Sequence, residues 1–467
     1  MKSMQKEGLH NKQVTVMGLG LHGGGVDTVR FLVRHGARVT VTDQQDEKAL
    51  ASSVAQLRSC ENLRFVLGAH RYEDFETADM VVKAPNVPWD NAYICHAQER
   101  NIPVYTDASL FYALIRQPTI GITGSKGKTT TAQALLHILQ FAQKNPVAVG
   151  VGQEPMLGKL DAMTREDIPV CELSSWRLAS MGRMRQSPHI AVVTNLLHDH
   201  QNYYDSMTDY ERDKFFITQS QSSDDILILN ADDRRLQAWA RRSHARIVWV
   251  SMRSVLQGGY GFFVEDGTVY ESIAQKRSAL YALDVLRVCG EHTQRNVILA
   301  TAVARVCGVA PDVIAAALPT FIGVAHRFET VAIIDDVRYV NDTAATMPDA
   351  AIASIRTCPK PPIVIAGGAD KALDFTSFAN VLAHETKAVV LLDGSATQKI
   401  IALLHQSGLQ IPRVVDTMDD AVAVAQSFAE QGDCILLSPG AASFGLFAHE
   451  FDRGDAFVHS IKRYEKK

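Results

Sequence analysis

The segment 119–137, which reads TIGITGSKGKTTTAQALLH, constrains the fold of this chain more than any other stretch. A short apolar strand leads into a glycine-rich turn, and an apolar-periodic helix follows. The backbone N–H groups of such a turn and the positive end of the helix dipole form a cradle for phosphate. The pattern predicts a nucleoside triphosphate site, whose turn consists of Gly124, Ser125, Lys126, Gly127, Lys128, Thr129 and Thr130.

The residue types in this turn indicate its chemistry. Lys128 would reach the outer phosphates of the nucleotide, and the Thr129 hydroxyl would ligate Mg²⁺. One position departs from the generic pattern, because Ile122 stands where the first glycine is expected. An ordinary glycine turn before a helix is the alternative. The order of strand, turn, Gly-Lys-Thr and helix favours nucleotide binding.

Length and composition limit the class of protein. A chain of 467 residues is too long for one core and suggests about three domains. The net charge of −4 gives no basic surface for nucleic acid or an acidic membrane. The seven cysteines are scattered without a Cys-x-x-Cys pair, and no apolar run approaches the length of a membrane span. We therefore expect a cytoplasmic enzyme that uses neither a membrane nor a nucleic acid as partner.

A second glycine turn lies in the N-terminal part, residues 1–112. It follows a short apolar run, precedes a helix pattern, and consists of Gly18, Leu19, Gly20, Leu21, His22 and Gly23. The next strand ends in Asp43, which completes the dinucleotide-binding arrangement of a turn for the diphosphate and an acid for the ribose. These residues do not distinguish NAD from another diphosphate. With the strands that follow, they predict a Rossmann-like domain.

The central part, residues 113–325, carries polar side chains where strands of the predicted, mostly parallel sheet end. Glu172 lies at one strand end, where a carboxylate could hold Mg²⁺, although a solvated terminus is the alternative. His200 belongs to a His-Asp-His sequence after another strand, and this clustering favours a metal or phosphate role.

Two further polar residues of the central part lie on predicted helices. Lys214 belongs to the helix pattern 207–220, where a lysine is ordinarily a solvated surface residue. Asn296 falls in the first turn of a helix predicted for residues 293–306 and could face a nucleotide base.

The C-terminal part, residues 326–467, predicts a third, Rossmann-like α/β domain. Three of its strands end in small-residue loops that open helices, at residues 367–371, 393–395 and 438–443. Ligands of such sheets bind at these loops. Arg327 and Asp342, near the start of the domain, could grip a nucleotide, and an interdomain salt bridge is the alternative.

Eight motifs occur in register along the chain: GITGSKGKTT, ELSSW, TN…DH, GEH…N, HRFE, NDTAAT, GGADK and LLSPGAAS. With them the chain resembles the Mur ligases over nearly its whole length and in all three domains. The resemblance is greatest to the members that add D-glutamate to UDP-N-acetylmuramoyl-L-alanine. It implies an ATP-dependent amide ligase of peptidoglycan precursor synthesis that acts, as a monomer, through an acyl phosphate.

The resemblance also implies roles for individual residues. The UDP-bearing substrate, in place of NAD, would contact the turn from Gly18 to Gly23, Asp43 and Ser174. ATP would contact the phosphate loop, Asn296, Arg327 and Asp342. Two Mg²⁺ ions would be held by Thr129, Glu172, His200 and Lys214, the last as a carbamylated lysine. The catalytic residues would be Lys128, Glu172, His200 and Lys214, and the incoming amino acid would contact Thr346, Lys371 and Ser443.

Several positions depart from the family pattern. Ala344 replaces a lysine of the amino-acid site, and Glu450 stands where an aromatic residue is expected. Arg177 occupies a position where glutamine is common, and residues 150–154 replace a Gly-Asn-Ile-Gly segment. These departures concern the amino-acid specificity more than the reaction. The alternatives are a Mur-type ligase for another amino acid or acceptor, an NAD-dependent oxidoreductase and a regulatory nucleotide-binding switch.

Overall fold

The computed structural model describes residues 5–21, 23–197, 204, 206–253, 259–288, 290–371, 373–406 and 413–464. These residues fold into two compact units. The first unit lies within Met1–Leu286 and Glu291–Phe321, and the second within Arg287–Gly290 and Ile322–Lys467. Short 3₁₀ helices occur at Lys6–Leu9, Val151–Gln153, Leu157–Asp161, Leu283–Val285 and Leu318–Thr320.

The first unit begins with a parallel five-stranded sheet. Its strands β1 to β5 are Gln13–Met17, Arg38–Asp43, Leu63–Leu67, Met80–Lys83 and Val104–Tyr105. Its helices α1 to α5 are Gly24–Arg34, Ala51–Ala55, Tyr72–Glu76, Ala92–Glu99 and Asp107–Leu114. The strand order β3-β2-β1-β4-β5 reverses direction between β1 and β4. Ligands of open α/β sheets bind at such a reversal, beyond the carboxyl ends of the strands.

The first unit also contains a sheet of nine strands. Strands β6 to β14 are Ile120–Thr123, Pro146–Val149, Ile168–Glu172, Ile190–Val193, Ile226–Asn230, Arg246–Ser251, Tyr260–Glu265, Thr268–Ile273 and Lys276–Ala282. Helices α6 to α11 are Lys128–Phe141, Ser175–Arg183, Met207–Gln219, Arg234–Ala240, Glu291–Val306 and Pro311–Ala317. The order is β14-β13-β12-β11-β10-β9-β6-β8-β7, and only β13 and β14 are antiparallel to their neighbours.

The strands at the centre of this sheet are uniformly apolar and buried. Every residue of β6 and of β9 is buried, as expected for parallel strands covered by helices on both faces. Helix α6 packs against α10, and Leu135 and Leu139 of α6 are buried. Because β6 pairs with both β8 and β9, the phosphate loop lies beside the ends of these two strands.

The second unit is built on a sheet of six strands. Strands β15 to β20 are Glu329–Ile334, Val337–Asn341, Ile363–Gly367, Ala388–Leu392, Arg413–Val415 and Cys434–Leu437. Helices α12 to α16 are Pro348–Thr357, Thr376–His384, Ser395–Gln406, Met418–Ser427 and Glu450–Lys462. In the order β15-β16-β20-β17-β18-β19, only β15 is antiparallel. Apolar clusters fill both faces of this sheet.

The predicted fold class is confirmed, since each of three α/β parts has its own mostly parallel sheet. The strands predicted to end in small-residue loops are β17, β18 and β20, which are neighbours. The helix predicted for 207–220 is α8, and the one predicted for 293–306 begins two residues earlier as α10. The boundaries at 112 and 325 stay predictions. Within the described ranges, no helix combines the length and apolarity that crossing a bilayer requires.

Candidate active site

The phosphate loop joins β6 to α6 and is shaped by two glycines with positive φ, Gly124 at 144° and Gly127 at 88°. A Cβ at Gly124 would lie 1.9 Å from the Thr194 hydroxyl oxygen, and one at Gly127 would lie 2.5 Å from Asn296 Oδ1. Both positions therefore require glycine. The close approach also places Asn296, which is buried, against the loop, and its contact with the nucleotide stays a prediction.

The end of β9 holds this loop in place. The Thr194 hydroxyl donates to the Lys126 carbonyl at 2.6 Å. Asn195 Oδ1 accepts from the Lys126 N–H at 3.0 Å, and the Tyr210 hydroxyl donates to Ser125 Oγ at 3.0 Å. Sequence reasoning gave no role to Thr194, Asn195 or Tyr210. These contacts fix the conformation of the loop, which is what a preorganised binding site requires.

Two lysines converge on the Gly124 carbonyl. Lys128 Nζ donates to it at 3.1 Å and to the Ser125 carbonyl at 3.3 Å. Lys214 Nζ, from α8, donates to the same Gly124 oxygen at 2.9 Å and lies 4.7 Å from the centre of the Tyr210 ring. Lys214 is only 1% exposed, so the interpretation of this residue as a solvated surface lysine is wrong. Helix α8 turns it inwards, against the loop.

Glu172 ends β8 and faces the first turn of α6. Its Oε2 accepts from the Thr129 hydroxyl at 3.0 Å and from the Gly152 N–H at 3.2 Å. A carboxylate oxygen beside a threonine hydroxyl is the kind of ligand pair that Mg²⁺ prefers, so these two residues fit the predicted metal. The described residues contain no group of three or more His, Cys, Asp or Glu side chains that could hold a metal. His200 lies outside the described residues.

Arg177 fixes the strand end that carries Glu172. Its Nη1 donates to the carbonyls of Glu172 at 3.2 Å and of Gly150 at 3.3 Å. Its Nη2 donates to Asp107 Oδ2 at 2.8 Å, and both side chains are largely buried. The sequence marked Arg177 only as a departure from the family pattern. Ser174 is the N-cap of α7 and accepts from the Arg177 N–H at 3.3 Å; its contact with substrate stays a prediction.

The N-terminal glycine turn and Asp43 meet at the carboxyl end of β1. Asp43 Oδ2 accepts from the N–H groups of Leu19 at 2.8 Å and Gly20 at 3.4 Å. A Cβ at Gly18, where φ is 91°, would lie 2.8 Å from the Ala84 Cβ at the end of β4. Asp43 therefore holds the turn itself, and its contact with a ribose or another part of UDP stays a prediction. His22 lies outside the described residues.

Lys83 is a buried lysine of the same five-stranded sheet that sequence reasoning missed. It ends β4, is 1% exposed, and donates to the Val87 carbonyl at 2.7 Å. Its ammonium lies 4.4 Å from the centre of the Trp89 ring, and the Arg183 guanidinium lies 4.5 Å from the same ring. Burial, followed by the charge of Arg183, lowers the pKa of Lys83 to about 7. About half of the Lys83 side chains therefore carry a proton at neutral pH.

In the second unit, Asp342 lies inside the protein, beneath the loop that follows β16. Its Oδ2 accepts from the hydroxyls of Ser354 and Ser438, and its Oδ1 accepts from the Phe328 N–H. Burial raises the pKa of Asp342 to about 6, although these hydrogen bonds oppose the rise. Arg327 is exposed. The contacts of both residues with ATP stay predictions.

Replacing Asp342 with asparagine is expected to stabilise the fold at neutral pH. The folded-state pKa of about 6 lies above the ordinary value of 3.8. The protonated acid therefore stabilises the fold fully below pH 3.8, and this contribution is lost as the pH rises through about 6. The rise in pKa from 3.8 to about 6 corresponds to about 3 kcal/mol in the free energy of unfolding. Asp342→Asn should recover about 1–3 kcal/mol at pH 7.5, because serine hydroxyls can accept as well as donate.

Urea unfolding of the full chain at pH 4.5 and pH 7.5 measures this effect. From pH 4.5 to pH 7.5, the free energy of unfolding should fall more for the wild type than for the asparagine variant. Asp349→Asn, at an exposed position of α12, serves as the matched control and should keep the wild-type pH dependence. An Asp342→Asn variant whose stability has the same pH dependence as the wild type would contradict the expected ionisation of Asp342.

The loops that carry Thr346, Lys371 and Ser443 meet at one edge of the six-stranded sheet. The Gly440 N–H donates to the Ala345 carbonyl at 2.9 Å, which joins the loops after β16 and β20. Ala369 and Ala442 exchange two backbone hydrogen bonds, which join the loops after β17 and β20. The structure thus brings the three predicted loops together, and their contacts with an amino acid stay predictions.

Comparison with known proteins gives the same description for all three parts of the chain. Residues 12–106 match the family model for the Mur ligase MurD-like N-terminal domain, 122–304 the Mur ligase middle domain, and 326–440 the Mur ligase glutamate ligase domain. A UDP-N-acetylmuramoylalanine–D-glutamate ligase from Roseiflexus sp. is 39% identical over 98% of this chain and 99% of that protein. The chain belongs to the Mur ligase family.

Other Mur ligases resemble this one along the same length. The enzymes of the same name from Symbiobacterium thermophilum and Borreliella afzelii are 33% and 35% identical, each over 97% of this chain and 98% of the relative. The crystal structure of UDP-N-acetylmuramate-alanine ligase from Thermotoga maritima has a TM-score of 0.59 at 18% identity, covering 98% of this chain and all of the other. The likeness to the Thermotoga maritima structure shows the fold, whereas the relatives at 33% and 35% identity show the family.

Proposed function

We propose that this Mur ligase joins D-glutamate to UDP-N-acetylmuramoyl-L-alanine with the hydrolysis of ATP, as a cytoplasmic monomer in peptidoglycan precursor synthesis. The near full-length relatives with this name support the substrates. The observation that carries the proposal is the hydrogen bond between Thr129 and Glu172, beside the Lys128 ammonium. That arrangement is what phosphoryl transfer from ATP needs, namely positioning and charge stabilisation.

ATP would bind with its phosphates on the N–H groups of the loop 124–130 and with Lys128 on the outer phosphates. Asn296, which lies against Gly127, would reach the nucleoside. Thr129 and Glu172 would hold one Mg²⁺, and His200 with a carbamylated Lys214 would hold a second. When bound, these ions neutralise negative charge on the phosphates. Arg327 and Asp342 complete the residues that we propose for ATP.

The reaction would proceed in two steps. A carboxylate oxygen of the UDP-bearing substrate attacks the γ-phosphorus of ATP, the bond to the β-phosphate oxygen breaks, and ADP leaves with the electron pair. The free amine of the amino acid then attacks the carbonyl carbon of the acyl phosphate. The tetrahedral intermediate expels inorganic phosphate, and the amine nitrogen loses a proton. Two steps with a good leaving group replace one unfavourable condensation in water. Lys128 would stabilise the charge that develops on the transferred phosphoryl group.

The other two substrates would occupy the remaining loops. We place UDP on the turn 18–23 with Asp43 and Ser174. We place the incoming amino acid on Thr346, Lys371 and Ser443. An NAD-dependent oxidoreductase is not favoured, because the relatives that cover the whole chain are ligases.

Phosphate release from ATP tests this function. The purified chain is mixed with ATP, Mg²⁺ and UDP-N-acetylmuramoyl-L-alanine, and a panel of amino acids that includes both glutamate enantiomers is added. Release that requires D-glutamate and the UDP-bearing substrate together supports the proposal. Release that requires another amino acid keeps the ligase but overturns the substrate. No release with any amino acid of the panel overturns the function.

A further inference from the structure

Arg453 is a fully buried arginine beneath the three loops of the proposed amino-acid site. Its Nε donates to the Thr343 hydroxyl oxygen at 3.0 Å, and its Nη2 donates to the Thr343 carbonyl at 3.1 Å. Its Nη1 donates to the Ala441 carbonyl at 3.2 Å. The same Nη1 lies 3.4 Å from where a Cβ on Gly368 would stand. One guanidinium therefore contacts the loops after β16 and β20 and adjoins the loop after β17.

The charge of Arg453 has no carboxylate within ion-pair distance in the described part of the chain. Glu450, one turn earlier on α16, raises the pKa of Arg453 through its charge, but burial dominates and lowers it to about 10. The guanidinium is therefore still protonated at neutral pH. A buried charge without a counter-charge is costly, and proteins retain one where something anionic is bound or a structure depends on it.

The helix that carries Arg453 is held at close range. A Cβ on Gly454 would lie 2.3 Å from His326 Nδ1 and 2.6 Å from Thr343 Cγ2, so glycine is required there. The Thr343 hydroxyl also donates to the Glu450 carbonyl at 2.8 Å. These contacts hold α16 close to the loop after β16. Glu450, which stands in place of an aromatic residue, is the first residue of this helix.

We propose that Arg453 is a positioning residue for the amino-acid substrate, which holds the loops of Thr346, Lys371 and Ser443 in register and supplies positive potential to an anionic amino acid. This inference deepens the proposed function and rests on it. In this proposal the buried cation of Arg453 supplies positive charge near a position where Ala344 has replaced a lysine. Coulomb attraction between unit charges is strengthened by a surrounding of low dielectric constant.

Steady-state kinetics of the full chain with Arg453→Met and Arg453→Lys test the proposal. Arg453→Met removes the charge at similar volume, and we expect the KM for D-glutamate to rise about 30-fold. Arg453→Lys keeps the charge without the planar fork, and we expect a rise of about fivefold. The KM for the UDP-bearing substrate is the internal control and should stay within about twofold in both variants, since the turn 18–23 belongs to another sheet.

Glu450→Gln provides an opposite and independent test. This substitution removes the carboxylate that partly offsets the arginine, so the KM for D-glutamate should fall about two- to threefold. Its backbone carbonyl, which accepts from Thr343, remains. Arg356→Met is the matched control, because Arg356 is an exposed arginine of the same unit that pairs with Glu385. It should leave every kinetic constant unchanged.

The competing interpretation is a structural role alone. In that case Arg453→Met would lower the unfolding temperature and would change the KM values for D-glutamate and for the UDP-bearing substrate alike, or neither of them. Glu450→Gln would leave the KM for D-glutamate unchanged. Either result overturns the proposal. If Arg453→Met does not fold, Arg453→Lys and Glu450→Gln decide it. If the wild-type chain releases no phosphate with D-glutamate, the proposed function is overturned instead. If the wild type is active and the variants show no selective change in the KM for D-glutamate, only this inference is overturned.

Discussion

Lys128→Ala is expected to lower D-glutamate-dependent phosphate release about 10³-fold or more, which is the scale of a lost charge-stabilising group at a transferred phosphoryl. The Lys128 ammonium lies 3.1 Å and 3.3 Å from the carbonyls of Gly124 and Ser125. Two backbone carbonyls of the phosphate loop therefore hold this ammonium at the loop. Alanine keeps helix α6, because alanine is the best helix former. The loss should thus be in turnover, and the unfolding temperature should change little.

A binding measurement and a control variant separate catalysis from substrate binding. The affinity for UDP-N-acetylmuramoyl-L-alanine should be unchanged, since the turn at Gly18 belongs to another sheet. Lys12→Ala removes an exposed lysine that pairs with Asp79 and serves as the matched control. It should keep full phosphate release and lose less than about 1 kcal/mol of stability. A Lys128→Ala variant that retains more than a tenth of wild-type release would contradict the role of Lys128.

The phosphate loop was predictable because its information is local. A strand, a turn with glycines at 124 and 127, and a helix follow one another in the chain, and positive φ at those positions demands glycine. The neighbourhood of Glu172 was predictable for a related reason, since the ends of adjacent parallel strands share one sheet edge. The same rule placed Asp43 beside its glycine turn.

The burial of four basic side chains was not predictable from the sequence. Lys83, Arg177, Lys214 and Arg453 each have an unremarkable local context, lysine and arginine are ordinarily exposed, and only the family resemblance gave Lys214 a role. Their acceptors include backbone carbonyls, which lie far away in the chain for Lys214 and Arg453 and four residues away for Lys83. Any residue type supplies a carbonyl, so the sequence carries no mark of these contacts. The antiparallel strands β13 and β14 were also not predicted, because no motif lies between residues 231 and 290.

Lys214→Ala is expected to abolish ligase turnover, with a loss of about 10³-fold. The Nζ of Lys214 lies 2.9 Å from the Gly124 carbonyl oxygen and is buried, so this side chain, like that of Tyr210, reaches the phosphate loop from α8. Carbamylation would replace its ammonium by a carboxylate, the group that a second Mg²⁺ requires. Depleting the assay of carbon dioxide and bicarbonate should therefore reduce wild-type activity, and restoring bicarbonate should recover it.

Chemical rescue distinguishes a carbamate from a structural lysine. A short carboxylic acid such as formate or acetate can enter the space that Lys214→Ala opens and supply the missing carboxylate, so activity should rise with its concentration, about tenfold or more at saturation. Lys128→Ala is the matched control, and no carboxylic acid should rescue it, because that position needs a cation. Full activity of unrescued Lys214→Ala would show that the lysine is dispensable. Rescue by methylamine instead of acetate would show that Lys214 acts as an ammonium, held by the Gly124 carbonyl that it contacts here.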